Sequence, residues 1–358
     1  MGREALAVAM QVGQPVLLWG SPGEGKSAMI AQLAEQLGRP CEVVIGSVRE
    51  ASDFAGLPMR VGDSVTFVPP RWATRCLDRP DTVVFFDELT TASPPVQAAM
   101  LRVVLEREVG DLRLPDTVSI VAAANPPELS AGGDDLAAPL ANRFCHLDWE
   151  ATVGDWISGM LRGWAPAPLP LVPATLGPHE LRWRSLLVGF VTARPSILRQ
   201  VPTDVVSQGR AWPSPRAWDA AHRLAAAADA AGASRAVRAA LVTGLVGEAA
   251  AIEFLRYADD IDLPDPELLL ANPSALATDS RADQLLASLA SVVTAVGADL
   301  THQRWSAAWD VMAVVCDADR ADLAALAAGD LLAMRDDSWP PPAAVRAFVP
   351  ILRDAQLV

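Results

Sequence analysis

Apolar residues follow two alternating patterns over the first 150 positions and a single pattern after that. Compact apolar runs over 15–19 and 82–86 read as buried strands, and 41–45, 118–124 and 144–147 read as strands too. Helical spacing lies between them. Over 26–37 the residues Met29, Ile30, Leu33 and Leu37 share one face, and Gly38 and Pro40 stop the helix. Residues 3–12 and 136–142 read as short helices, and 94–107 as a longer one with Ser93 at its N-cap and prolines in its first turn. Strands that alternate with helices predict an α/β fold, a parallel sheet flanked by helices on both faces. Beyond about 150 only helical spacing remains, over 151–163, 179–200, 214–231, 234–257, 281–297, 303–315, 319–335 and 342–355. A proline-rich linker at 165–173 and an Asp- and Pro-rich break at 260–273 interrupt it. The expected division is an α/β domain over 1–149, an all-α lid over 150–258 and a helical C-terminal extension over 259–358.

Composition narrows the function classes. The chain has 358 residues, more than one core usually holds. Its net charge of −14 argues against a phosphate backbone as the main partner, so nucleic acid is not expected. No apolar run reaches the length of about 18 residues that a membrane span requires. The start, Met1-Gly2-Arg3-Glu4, lacks a signal-peptide pattern, so a cytoplasmic protein is expected. The cysteines, Cys41, Cys76, Cys145 and Cys316, are scattered, form no CxxC pair and read as reduced thiols rather than metal ligands. One count matters more than the rest. Of 29 basic residues only Lys26 is a lysine. A lone lysine among arginines marks a place where a planar guanidinium will not serve and a compact ammonium will.

Lys26 lies in Gly20-Ser21-Pro22-Gly23-Glu24-Gly25-Lys26-Ser27, between an apolar strand and a helix. That context is the one a Walker A loop requires: glycines permit the turn, backbone N–H groups wrap phosphates, Lys26 reaches β/γ oxygens and the Ser27 hydroxyl ligates Mg²⁺. The expected cofactors are therefore ATP and Mg²⁺. The apolar run 83–86 ends in Asp87-Glu88, two carboxylates at the carboxyl edge of the sheet. Asp87 suits the metal, and Glu88 suits the polarisation of an attacking water. Asn125 ends another strand before Pro126; it could align that water, or simply form the turn.

These stretches together resemble the AAA+ superfamily of P-loop NTPases, and within it the MoxR-type ATPases. The resemblance covers about 10–220. It rests on GSPGEGKS at 20–27, SVREASDFAGLP at 47–58, VVFFDEL at 83–89, SPPVQAAMLRVVLERE at 93–108, VAAANPPE at 121–128, LAAPLANRF at 136–144 and WPSPRAW at 212–218. It implies that Asn125 is sensor 1. It implies that Arg143 is an arginine finger acting on a neighbour's ATP, although a structural ion pair at a helix end is the plainer alternative. It also implies that Arg216 is sensor 2, reaching the γ-phosphate of its own chain, although an ordinary first-turn arginine is the alternative. Arg102 and Arg107 could touch the neighbour's nucleotide or lie on a solvated face. Residues 47–72 resemble the family's helix-2 insert with a hairpin around 61–68; Phe54, Leu57 and Met59 are partner contacts or core. The function implied is ATP hydrolysis at the subunit interfaces of a ring, a hexamer, remodelling a client or a protein with a von Willebrand factor A domain. The alternative is a nucleotide-gated switch with little turnover.

Overall fold

The computed structural model describes residues 2–126, 129, 136–164 and 167–354. Of the stretches singled out above, Met1, Pro127, Glu128, Ala165, Pro166 and Ala355 lie outside the described residues. The chain divides into two compact units, Met1–Leu176 with Arg199–Ala251, and Gly177–Leu198 with Ile252–Val358.

The first unit is built on a five-stranded sheet. Its elements in chain order are α1 (Gly2–Gln11), β1 (Val16–Trp19), α2 (Lys26–Gln36), β2 (Cys41–Ile45), α3 (Ser52–Ala55), β3 (Leu57–Val61), β4 (Ser64–Val68), α4 (Arg71–Asp78), β5 (Val83–Asp87), α5 (Pro94–Glu106), β6 (Glu108–Val109), β7 (Leu112–Arg113), β8 (Ser119–Ala124), α6 (Ala138–Ala141), β9 (Cys145–Asp148) and α7 (Val153–Arg162). The sheet order is β2-β5-β8-β1-β9, and every pairing is parallel. This is the α/β architecture that the alternating pattern predicts. The central strands β1, β5 and β8 are buried along their apolar lengths, because helices cover both faces. One core cluster runs from Leu17 and Val44 through Phe54, Trp72 and Phe86 to Met100 and Phe144.

Phe54 belongs to that core. Its ring sits edge-on to Phe86, with centroids 5.9 Å apart. Leu57 and Met59 do not: they are 59% and 53% exposed on the antiparallel β3–β4 hairpin. The hairpin base is docked on the β6–β7 turn. Asp111 N–H donates to the Phe67 carbonyl (3.0 Å), and a Cβ on Gly110 would lie 2.4 Å from that same oxygen.

The chain continues through α8 (Pro178–Ala193), α9 (Val205–Gln208), α10 (Pro215–Ala230), α11 (Arg235–Val246), α12 (Glu248–Asp260), α13 (Pro266–Ala271), α14 (Ala282–Ala298), α15 (His302–Asp317), α16 (Ala321–Ala333) and α17 (Val345–Asp354). Helices α10 and α11 belong to the first unit, and α11 lies on β9. A Cβ on Gly244 would meet His146 O at 2.3 Å and Cys145 Sγ at 2.9 Å, so the helix approaches the strand as closely as backbone allows. Helix α8 belongs to the second unit, although it precedes α10 in the chain. There it packs on α14, with Gly189 set against Ala287. Trp305, Trp309 and Phe348 lie in the second unit's own core. Among the described residues no helix is long and apolar enough to cross a membrane.

Candidate functional site at the carboxyl edge of the sheet

In a parallel sheet all strands end at one edge, so the polar residues that terminate β1, β5 and β8 are brought together there. The loop after β1 turns through Gly23 and Gly25, at φ 84° and 77°, a left-handed conformation that glycine adopts without strain. Gly25 then caps α2, and residues 26–28 point their N–H groups out of its first turn. A Cβ on Gly20 would lie 2.6 Å from Trp149 O. The indole of Trp149 donates to Glu24 O (3.0 Å) and braces the loop from outside.

Lys26 is only 8% exposed. Its ammonium donates to Gly20 O (2.6 Å), Ser21 O (3.0 Å) and Asn125 Oδ1 (3.0 Å). Burial lowers its pKa, while the carboxylates of Glu24 and Asp87 pull it back up. Ser27 Oγ donates to Asp87 Oδ2 (2.8 Å), and Asp87 Oδ1 accepts from Glu88 N–H (3.0 Å). Glu88 has a left-handed backbone at φ 56°, a conformation that costs a non-glycine residue on the order of 1 kcal/mol or more. Its carboxylate accepts a hydrogen bond from Ser47 Oγ. Lys26, Ser27, Asp87 and Asn125 are thus joined directly, and Glu88 follows Asp87 on the same strand end.

These residues fit Mg-ATP. The ammonium holds three acceptors that phosphate oxygens can replace. The two oxygen ligands expected for a hard cation, Ser27 and Asp87, are already adjacent. Among the described residues the buried Glu24 Oε2 has no hydrogen-bond partner.

Arg143 and Arg216 lie elsewhere. Arg143 precedes β9, and its carbonyl accepts from Gln14 Nε2 (3.2 Å), beside the start of β1. Since β1 and β9 are parallel, this is the amino edge, opposite Lys26. Arg216, on the first turn of α10, lines the same cleft of about 240 Å³ as Arg143, with Gln14, Pro15, Leu105, Ala217, Ala220 and Leu245. The pKa of Arg143 is lowered by burial first and by the charge of Arg216 second. Among the described residues neither arginine makes an ion pair. Arg216 thus lies beside Arg143 in that cleft at the amino edge, which differs from the reach to its own nucleotide that the resemblance implies. Arg102 and Arg107 have local tasks. Arg102 bonds Glu106 and Glu108, and Arg107 donates to the carbonyls of Pro115 (3.2 Å) and Val118 (2.8 Å).

Sequence reasoning missed Ser47, Trp149 and Asn142. Ser47 carried a usable signal, a hydroxyl just past an apolar strand, the pattern that had already picked out Asp87 and Asn125. Trp149 and Asn142 carried none, because their partners, Glu24, Trp212 and Ser214, are distant in sequence.

Residues 15–144 match the family described as the AAA domain, dynein-related subfamily. Midasin from Giardia intestinalis is 26% identical over 153 residues, which is 40% of this chain and 3% of that protein. The chain thus spans a small fraction of that curated relative. A solved candidate ATPase from Cytophaga hutchinsonii ATCC 33406 superposes with a TM-score of 0.44 at 14% identity, over 71% of this chain and 88% of that one. That likeness is too loose to add to the fold described above. The parallel sheet, the loop around Lys26 and the family match agree, and residues 15–144 have the AAA+ P-loop fold.

Proposed function

We propose that this chain hydrolyses Mg-ATP at the subunit interfaces of a ring, a hexamer, and uses the cycle to remodel or activate a partner protein. The observation that carries this reading is the division of polar residues between opposite ends of the same strands. Lys26, Ser27, Asp87 and Asn125 are joined at one edge, and Arg143 stands with Arg216 at the other.

In this reading the backbone of residues 20–27 and the Lys26 ammonium hold the triphosphate. Ser27 and Asp87 hold Mg²⁺, which neutralises phosphate charge when bound. Glu88 takes the proton of the attacking water, and Asn125 orients that water. Two guanidiniums that repel each other and, among the described residues, make no ion pair call for an anion from outside the chain. A neighbouring copy's γ-phosphate meets that need, so Arg143 and Arg216 act together in trans on charge that develops there. The motif series resembles that of MoxR-type ATPases. That resemblance supports a client with a von Willebrand factor A domain and work in the cytoplasm.

The test is phosphate release by the native chain and by Glu88→Gln. Glu88→Gln should still bind nucleotide but turn over at least about a hundredfold more slowly, as loss of a general base predicts. One observation favours a second reading, a nucleotide-gated switch: Ser47 already engages the Glu88 carboxylate. Equal rates in both proteins would sink hydrolysis through Glu88 and leave the switch.

A further inference from the structure

Asn142 sits between the two arginines in the fold, and both ends of its side-chain amide are in use. The residue is 7% exposed. Its Nδ2 donates to the Trp212 carbonyl (3.0 Å), and its Oδ1 accepts from Ser214 Oγ (2.6 Å). The Ser214 hydroxyl in turn accepts from Ala217 N–H (3.1 Å) and so caps α10. A carbonyl can only accept, so the Trp212 contact fixes which way the amide faces. The bond to Ser214 joins segments 72 positions apart.

The segment around Arg143 is held from the other side as well. Gln14 donates to the Arg143 carbonyl (3.2 Å), the His146 ring bonds Ala141 O (2.9 Å), and the Arg143 guanidinium donates to Pro139 O. Arg216 follows the capped N-terminus of α10, two residues after Ser214. The Asn142 amide is therefore a direct polar tie between the turn that carries Arg143 and the helix start that carries Arg216. Two like charges do not come together unaided, and a tie of this kind holds them at a set spacing.

We propose that Asn142 is a positioning residue: through Ser214 and Trp212 it sets the distance between Arg143 and Arg216, so that both guanidiniums converge on one phosphate group of a neighbouring copy. This rests on the reading that the arginine pair serves the neighbour's ATP. Asn142 itself touches no nucleotide. It acts on the rate and leaves binding at its own chain's Lys26 loop alone, because that loop lies at the opposite edge of the sheet.

The experiment is a mutant cycle on the full chain, with kcat, KM for ATP and binding of a fluorescent ATP analogue measured for each protein. Arg143→Ala and Arg216→Ala should each cut kcat by at least about tenfold. Asn142→Ala should cut kcat by about tenfold with KM and analogue binding within about twofold, the pattern of an interaction made only in the transition state. In the Asn142→Ala background, removal of Arg216 should cost less than about twofold, because the pair is already out of register. Ser214→Ala, which keeps the Trp212 bond, should move kcat in the same direction by less, and it serves if Asn142→Ala does not fold. Full additivity of Arg216→Ala with Asn142→Ala would overturn the proposal, as would an unchanged kcat in Asn142→Ala beside a lowered melting temperature. If both arginine variants keep native kcat, the reading of the pair fails instead, and the positioning role falls with it.

Discussion

Lys26 performs a task that this arginine-rich chain assigns to no other residue. Its ammonium fits among two carbonyls and the Asn125 amide oxygen at 2.6–3.0 Å, a pocket shaped for a point charge. A guanidinium is planar and directs its donors in a fixed fork. Lys26→Arg should therefore lose affinity for ATP by about a hundredfold despite keeping the charge, as titration calorimetry would report; native affinity in this variant would remove Lys26 from the phosphate site. This residue was legible in the sequence because its rarity and its motif coincide. His146 was not, because burial decides its behaviour. Its Nδ1 accepts from Trp19 Nε1 (2.8 Å), its Nε2 faces Ala141 O, and burial lowers its pKa to about 4. The folded form stays neutral where the unfolded form, near its ordinary 6.5, takes a proton. The stability involved is present above about pH 6.5 and drains away as pH falls toward 4, reaching about 3 kcal/mol. His146→Gln, which can reproduce both hydrogen bonds, should flatten that dependence in hydrogen exchange of the β1 and β9 amides. An unchanged slope would assign the proton elsewhere.

At the scale of elements, apolar patterning set the core strands and most helices to within a residue or two, because each is buried on a continuous face. Several features escaped it. The expected helix over 179–200 ends at Ala193 as α8, and α9 and α13 fall where no helix is expected. Strands β6 and β7 are two residues each and are too short to show a period. Helix α4 buries only Trp72, Ala73 and Cys76 beside an otherwise exposed hairpin. The expected helix over 234–257 is two helices, since Gly247 adopts φ 79° and ends α11. The close approach of α11 to β9 was invisible as well, because only the fold says what faces Gly244. Adding one methyl there forces it against a backbone oxygen. Gly244→Ala should destabilise the sheet unit by about 2 kcal/mol, measured by denaturant unfolding of that unit. A neutral result would mean that α11 can lift from the strand without penalty.

At the scale of the whole molecule, the partition by packing departs from the order of the sequence: α8 joins the C-terminal helices, while α10 and α11 join the sheet. If Arg143 serves a neighbouring copy, rings mixed from Arg143→Ala and Glu88→Gln subunits should recover turnover that neither variant has alone. Each mixed interface can join an intact Glu88 to an intact Arg143. Phosphate release measured across mixing ratios would show a maximum between the pure samples, and a straight line between two inactive ends would argue against sharing. The second unit has a different consequence, and it concerns biosynthesis. Helix α8 leaves the ribosome before α10 and α11, yet the surface that Gly189 is shaped to meet, around Ala287, is made much later. Until α12 and then α14 emerge, the apolar side of α8, where Trp183 and Phe190 pack on Phe254 of α12, lacks its native neighbours. A version of the chain stopped after the sheet unit would keep that helix stranded, and it would stay soluble only if 177–198 were replaced by a short polar bridge.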